Sequence, residues 1–394
     1  MTGPLASYEC RLRSELVRLG YATSSVSDAV RMMRRLSVWL RERGLAAAEL
    51  TVPVLEDFLA ARRKSCGAGP LARRSLGAVI TILRDGGVVP GPEPGGDTAV
   101  EVLLADYRAY LRGERGLAAE SVRCYASQAR TFLAWLPEPL EESLARLDAA
   151  QVTAFMVRQT AVARSVWSAK ALVTGVRSLL RYLHVEGLVA GPLTAAVPAV
   201  AGWRLASLPR GLEPDQVAAL LAAPDPGTAA GQRDQAVLTV LARLGLRGAE
   251  VAALTLADVD WRAGQLVVRG KGSRVERLPL PVEVGEALAG YLTGARPRCS
   301  SPALFVTARA PYRALTGSSI RAIMGRACAN AGLPRLGAHR LRHTLATAML
   351  RSGTPLAEVG QVLRHRSQLS TAIYAKVDHT ALRTLARPWP GGAR

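Results

Sequence analysis

The feature that most narrows the folds open to this chain is that its first half reads as two copies of one unit. Ser25-Val26 with Arg34, Trp39 and Leu40 recurs as Ser121-Val122 with Arg130, Trp135 and Leu136, displaced by 96 residues. Phe58 aligns with Phe155, and Ile82-Leu83-Arg84 with Leu179-Leu180-Arg181, at a displacement of 97. The exits Gly87-Val88-Val89-Pro90-Gly91-Pro92 and Gly187-Leu188-Val189-Ala190-Gly191-Pro192 align at 100. Short loop insertions between copies of one small bundle produce such a drift. Both copies have helical periodicity. In 121–136, Val122, Tyr125, Ala129, Phe132 and Leu133 recur at helical spacing. Segment 151–184 holds two further helices, marked by Val152, Phe155 and Met156, then by Leu172, Val176, Leu179 and Leu180.

Two Gly/Pro-rich stretches, 86–96 and 187–203, break the chain. They divide it into three expected domains, 1–96, 97–203 and 204–394. The third opens on a helix signal, Glu213-Pro214-Asp215-Gln216, with proline in the first turn. Helices are expected at 232–244, 249–256, 282–293, 317–331, 339–351 and 355–364. Between them, Gln265–Val268 and Arg274–Leu280 read as two strands around Gly270-Lys271-Gly272-Ser273. The expected fold is therefore mainly α with a small antiparallel β-sheet in the C-terminal domain.

Charge narrows the partner. The chain of 394 residues carries 51 Lys and Arg against 31 Asp and Glu, a net +20, and most of the excess lies in the third segment. A field of that size attracts a polyanion, most simply a nucleic acid. Aromatics are only 5%, too few for a surface built mainly on base stacking. The first thirty residues carry acids and bases throughout, which argues against a signal peptide. The 17 uncharged residues 187–203 contain too much Gly and Pro for a membrane helix. Five scattered cysteines without a C-x-x-C pair suggest neither a disulfide framework nor a zinc ribbon. A cytoplasmic protein without a membrane partner is expected.

Four local patterns in the third segment could carry chemistry. Arg247 stands three residues before Glu250, which could fix the local backbone and the arginine's approach. Lys271, one of four lysines, lies between two glycines of the expected hairpin turn. His339 and Arg342 are three apart and share a helix face, which His343 could join. Finally, His365 is followed nine residues later by Tyr374, on a helix expected to start after Ser367–Ser370. Singly, each has a bland reading: a surface pair, a solvated hairpin tip, a half-buried packing tyrosine. No H-E-x-x-H arrangement is present, nor the carboxylate cluster that paired Mg²⁺ ions need. The expected site uses no metal and no cofactor.

Taken in order, these residues resemble the tyrosine recombinases, or phage-type integrases. That family shows G-L-R-x-x-E, a lysine on a β-hairpin, H-x-L-R-H-T-x-A-T, L-G-H and a tyrosine. This chain reads G-L-R-G-A-E (245–250), G-K-G (270–272), H-R-L-R-H-T-L-A-T (339–347), L-R-H (363–365) and I-Y-A-K-V (373–377). The similarity covers the third segment; the middle one resembles the family's SAM-like core-binding bundle less specifically. The first is either a further copy of that bundle or an arm-binding addition. Two positions depart from the pattern. Arg340 stands where an acid is common, and Arg364 replaces a glycine, so Arg364 is expected to alter the turn or add a phosphate contact.

The resemblance implies a site-specific DNA recombinase, an integrase or transposase of a mobile element. Tyr374 would attack a DNA phosphodiester and form a covalent 3′-phosphotyrosyl link, without metal or ATP. Arg247 and Arg342 would clamp the phosphate oxygens, and His339 would accept the phenol proton. Lys271 would protonate the departing 5′ oxygen, His365 would donate to a non-bridging oxygen, and Glu250 would orient its neighbours. It also implies a C-shaped clamp on double-stranded DNA, a homotetramer on two DNA sites, and accessory DNA-bending or directionality proteins. Two alternatives are a non-catalytic DNA-binding or architectural protein of the same fold, and a type IB topoisomerase-like enzyme.

Overall fold

A computed structural model describes residues 3–66, 70–89, 98–163, 166–200, 211–270, 274–364 and 371–377. Lys271, His365, the 367–370 helix start, much of the two linkers and the tail after Val377 therefore lie outside the described residues. Contacts gather the chain into two compact units, Pro90–Ala206 and a unit combining Met1–Val89 with Ser207–Arg394.

Helices α1 (Glu9–Arg18), α2 (Thr23–Glu42), α3 (Val52–Cys66) and α4 (Pro70–Asp85) form the first bundle. Its core is its own: Leu12, Leu16, Met33, Leu36, Leu40 and Val79 are fully buried within it. The middle unit contains α5 (Ala99–Gly113), α6 (Ala119–Leu133), α7 (Leu140–Ala145), α8 (Ala149–Ala161) and α9 (Val166–Val185). They enclose Leu104, Tyr107, Phe132, Phe155 and Val176. Side-chain caps start two of these helices: Thr98 accepts from the Glu101 N–H, and Asp148 from the Gln151 N–H at 2.8 Å.

The two bundles repeat in detail. In α2, Arg34 donates through Nε and Nη2 to the two oxygens of Glu9 on α1. In α6, Arg130 does the same to Glu101 on α5, at 2.9 and 2.8 Å. The Trp39 and Phe58 rings lie 5.6 Å apart, and the Trp135 and Phe155 rings 5.3 Å apart. Gly20 and Gly116, which end the first inter-helix turn of each copy, both have positive φ, +81° and +57°. Arg34 and Arg130, Trp39 and Trp135, and Gly20 and Gly116 stand 96 apart and Phe58 and Phe155 97 apart, while the carboxylates Glu9 and Glu101 stand 92 apart; these coincidences of chemistry are consistent with a duplicated bundle.

The last segment is built on α11 (Ala229–Leu244), whose residues Val237, Leu238, Val240 and Leu241 have no exposed surface. A helix apolar on every side must be surrounded. Around it pack α10 (Pro214–Ala222), α12 (Gly248–Ala253), α13 (Val282–Gly290), α14 (Gly317–Asn330) and α15 (Ala338–Arg351). Strands β1 (Val259–Asp260), β2 (Gln265–Arg269) and β3 (Val275–Pro279) form an antiparallel sheet in that order. Gln265 pairs with Pro279 and Arg269 with Val275. Alternation places Leu266 and Val268 on the buried face. The short α16 (Leu356–Val362) and a 3₁₀ turn, Ala372–Val377, pack on α15 around Ala346, Leu350, Val359, Leu363 and Tyr374.

Candidate active site

The site begins where α11 stops. Gly245 ends that helix with φ +58°, a left-handed conformation that suits glycine. A Cβ there would lie 3.0 Å from Leu345 Cδ2 and 3.1 Å from Leu363 Cδ2, so the position is closed to larger residues for two reasons. The chain then turns through buried Leu246 into α12, with Arg247 at the N-cap. The Arg247 N–H donates to Glu250 Oε2 at 2.8 Å, and its Nη1 donates to Glu250 Oε1 at 2.7 Å. The sequence expectation of a carboxylate that fixes both the backbone and the arginine is what the geometry shows.

Helix α15 supplies the next groups. Arg342 is only 3% exposed. Its Nη1 donates to the Gly245 carbonyl at 2.7 Å and its Nη2 to the Leu363 carbonyl. One buried guanidinium thus fastens the end of α11 to the end of α16. Burial, followed by the charges of Arg247 and Arg364, pulls its pKa down to about 10, still well above neutrality. His339, a turn earlier, has an exposed side chain. Desolvation by surrounding protein and then the charges of Arg342 and Arg247 hold its imidazole below the ordinary value.

Tyr374 is not half-buried but 1% exposed, packed among Ala346, Leu350, Val359 and Leu363. Its hydroxyl and His343 Nδ1 are 2.7 Å apart. Burial raises the phenol pKa, and the Arg342 charge opposes that rise. Burial, with the charges of His339, Arg340 and Arg342, lowers the pKa of His343. The imidazole and the phenol share one hydrogen bond whose direction follows the imidazole tautomer: with the ring proton on Nε2, Nδ1 accepts from the phenol. His343, placed by the sequence reading only as a possible companion of His339, is a group that bonds the tyrosine hydroxyl. Its four-residue spacing from His339 was the one signal that could have pointed to it.

Arg364, at the glycine position of the L-G-H pattern, has a left-handed backbone with φ +57°. Its side chain, 6% exposed, donates from Nη2 to Glu250 Oε2 at 2.8 Å. Glu250 is correspondingly buried. Burial alone would raise its carboxyl pKa. The bond from the Arg247 N–H, the Arg364 charge and the Arg247 side chain outweigh it and keep the carboxylate below its ordinary range.

The structure thus brings together Arg247, Glu250, His339 and Arg342 with Arg364, while Tyr374 joins through His343 and the charge of Arg342. Two guanidiniums, of Arg247 and Arg364, bond one buried carboxylate, and the charge of a third, Arg342, feels it as well. Such an arrangement has positive charge left over for an anion. Among the described residues, no group of three His, Cys, Asp or Glu side chains converges as metal ligands would. Nor, among those residues, is any helix long and apolar enough to cross a membrane.

Known proteins share this arrangement of segments. Residues 210–380 match the phage integrase family, and residues 104–187 match the phage integrase N-terminal SAM-like domain. A Sinorhizobium fredii (strain NBRC 101917 / NGR234) protein named as a putative integrase/recombinase, y4rA, is 41% identical over all of this chain and 96% of its own length. The tyrosine recombinase XerD of Listeria monocytogenes serotype 4b (strain F2365) is 29% identical over 71% of this chain and 96% of its own length. Among solved structures, a lambda integrase (75–356) dimer bound to a COC′ core site aligns with TM-score 0.54. It shares 17% identity over 73% of this chain and 97% of that one. The XerH site-specific recombinase bound to palindromic difH substrate aligns equally well, with TM-score 0.54 and 19% identity over 72% and 83% of the two chains. Those two likenesses concern the fold.

Proposed function

Because the chain belongs to the phage integrase family, the tyrosine recombinases, we propose that it cuts and rejoins double-stranded DNA at specific sites through Tyr374. The observation that carries this reading is the cationic cluster around Glu250 beside a buried phenol bonded to an imidazole. A phosphodiester is anionic, and attack at phosphorus moves more charge onto its oxygens. Preorganised guanidinium forks are suited to that charge, and such donors supply a large share of catalysis. Arg247 and Arg342 take this role. Tyr374 Oη attacks phosphorus, forming the 3′-phosphotyrosyl bond as the bond to the 5′ oxygen breaks. The phenol proton passes to one histidine: the 2.7 Å contact supports His343, and His339, one turn earlier on the same helix, is the alternative acceptor. Lys271 protonates the departing 5′ oxygen, and His365 donates to a non-bridging oxygen. Attack by a 5′ hydroxyl from another strand reverses the chemistry, with bond energy conserved and no ATP.

The domain reading follows. Residues 97–203 are a SAM-like core-binding domain, residues 204–394 hold the chemistry, and residues 1–96 are a second copy of the bundle. The duplicated Arg–Glu and Trp–Phe pairs support that last assignment. The XerD relative spans almost its own full length while leaving more than a quarter of this chain unmatched, whereas the y4rA match extends over all of it. Work on two DNA sites calls for a homotetramer on DNA, with accessory DNA-bending or directionality proteins, in the cytoplasm. Integration or transposition of a mobile element is the role that suits such a chain.

The test is direct. The purified protein is footprinted on DNA flanking its own coding sequence, and a duplex nicked beside the cleavage point is then offered. The wild-type chain accumulates a covalent protein–DNA adduct, and Tyr374→Phe forms none while melting at the same temperature. An adduct that persists in Tyr374→Phe rejects the assignment of the nucleophile. DNA binding without any adduct favours the non-catalytic reading. Relaxation of supercoiled DNA by a monomer without synapsis favours a topoisomerase.

A further inference from the structure

Arg364 sits where a residue with a side chain is strained, since positive φ is comfortable chiefly for glycine. The chain nevertheless places there a long, charged side chain and buries all but 6% of it. Its neighbours define what it does. Its Nη2 donates to Glu250 Oε2 at 2.8 Å. That same oxygen accepts the Arg247 N–H, while the other accepts Arg247 Nη1. Its Nε faces Glu276 Oε2 on β3 at 3.7 Å and, among the described residues, has no hydrogen-bond partner. The guanidinium therefore spans from the turn after α16 to the first turn of α12 and to β3.

Glu250 is also close to the start of the link between β2 and β3. A Cβ on Gly270 would lie 4.0 Å from Glu250 Oε1, and the Gly270 N–H closes the strand pair onto the Arg274 carbonyl at 2.8 Å. One carboxylate thus holds the fork of Arg247 and lies against the end of the β2–β3 pair. Without Arg364, Glu250 Oε2 would keep, among the described residues, the Arg247 N–H alone, and β3 would lose its charged contact with the α16 turn.

We propose that Arg364 is a positioning residue for strand cleavage, acting through Glu250 to set the fork of Arg247 and through Glu276 to set the β2–β3 pair against α12. Its Nη2 is engaged by Glu250 and its Nε faces Glu276, so the contacts through which it acts are to carboxylates. This rests on the recombinase reading, so the experiment keeps the two separable.

The full-length chain is assayed at saturating nicked duplex from the mapped site, with the rate of covalent adduct formation as readout. Arg364→Gly relieves the backbone but removes a buried partner of Glu250, so it is assayed at a temperature at which circular dichroism shows it folded. Its DNA dissociation constant stays within about twofold, yet its adduct rate falls at least tenfold. Arg364→Lys, which can still reach Glu250 with a point charge, recovers part of the rate. In a Glu250→Gln background, Arg364→Gly adds less than a twofold further loss, because the carboxylate it acts through is already gone. A wild-type rate in Arg364→Gly overturns the proposal, as does an undiminished Arg364→Gly effect in the Glu250→Gln background. If the glycine variant does not fold, a wild-type adduct rate in Glu250→Gln overturns it equally. Adduct formation by Tyr374→Phe would instead sink the recombinase chemistry and leave the Arg364 network standing as structure.

Discussion

Arg342 joins a structural role seen in its bonds to the proposed one in catalysis. It bonds two carbonyls, of Gly245 at the end of α11 and of Leu363 at the end of α16. Arg342→Lys keeps a charge but cannot present a two-pronged fork. A buried carbonyl left unpaired costs about 1–3 kcal/mol, and loss of one preorganised donor costs about 10²–10³ in rate. Both effects are expected, by thermal unfolding and by adduct rate. The histidines predict a pH dependence. His343 and His339 are lowered from 6.5, so the unfolded chain takes up protons at a pH where the native one has not. Their stabilisation is intact above 6.5 and is lost as pH falls below that value towards the depressed native ones. A protonated His343 also has no lone pair for the Tyr374 hydroxyl. The melting temperature and adduct rate therefore both fall between about pH 7 and pH 5, and His343→Gln shows a smaller fall in each. An unchanged fall in that variant would show that His343 is not the titrating group. The family motif made Arg247, Glu250 and Arg342 legible in sequence. The Tyr374–His343 and Arg364–Glu250 bonds were not, because they join positions 31 and 114 apart that only the packing of α15, α16 and α12 brings together.

At the scale of elements, period decided what could be read. The helices with strong apolar periodicity fall close to their expected bounds: 232–244 became Ala229–Leu244, and 339–351 became Ala338–Arg351. The expected helix at 249–256 ends earlier, at Ala253, and 355–364 is shortened to Leu356–Val362, since Leu363-Arg364 turn away through a left-handed residue. Strand β1 was not anticipated, because two residues have no period to detect. The segment 282–293 ends as an α-helix at Gly290 and continues as a wider turn over Tyr291–Ala295. The bundles make a sharper prediction. Phe155 is wholly buried, edge-on to Phe132 at 4.9 Å. Phe155→Ala removes a ring from a close-packed core and is expected to cost about 3–5 kcal/mol. Its core cluster contains no residue of the α11 cluster. Amide exchange should accelerate throughout α5, α6, α8 and α9 while α11 and α15 keep their protection. Loss of protection in both would mean that the units unfold as one.

For the whole molecule, charge is the governing quantity. A net +20 on 394 residues is large, and its cost in self-repulsion is offset when a polyanion is bound. Each phosphate neutralised by an arginine releases condensed counterions, so affinity falls with salt by a log–log slope of about −0.9 per phosphate. A duplex gripped at about 6–10 phosphates should bind roughly 10³–10⁵ more weakly at about 200 mM salt than at about 50 mM. If the first bundle is a second copy of the middle one, as proposed, it enters the same count. Arg35 and Arg41 on α2 are exposed, and α2 repeats α6 of the middle bundle in its pairing with the preceding helix. If both copies hold duplex, Arg35→Ala with Arg41→Ala in the full chain should make the salt slope shallower by about 0.9 for each phosphate no longer neutralised. The footprint should also shorten at one end only, with the adduct position unmoved. A slope and footprint identical to wild type would assign the first bundle's α2 face to something other than DNA, and would leave the cutting chemistry of the third segment untouched.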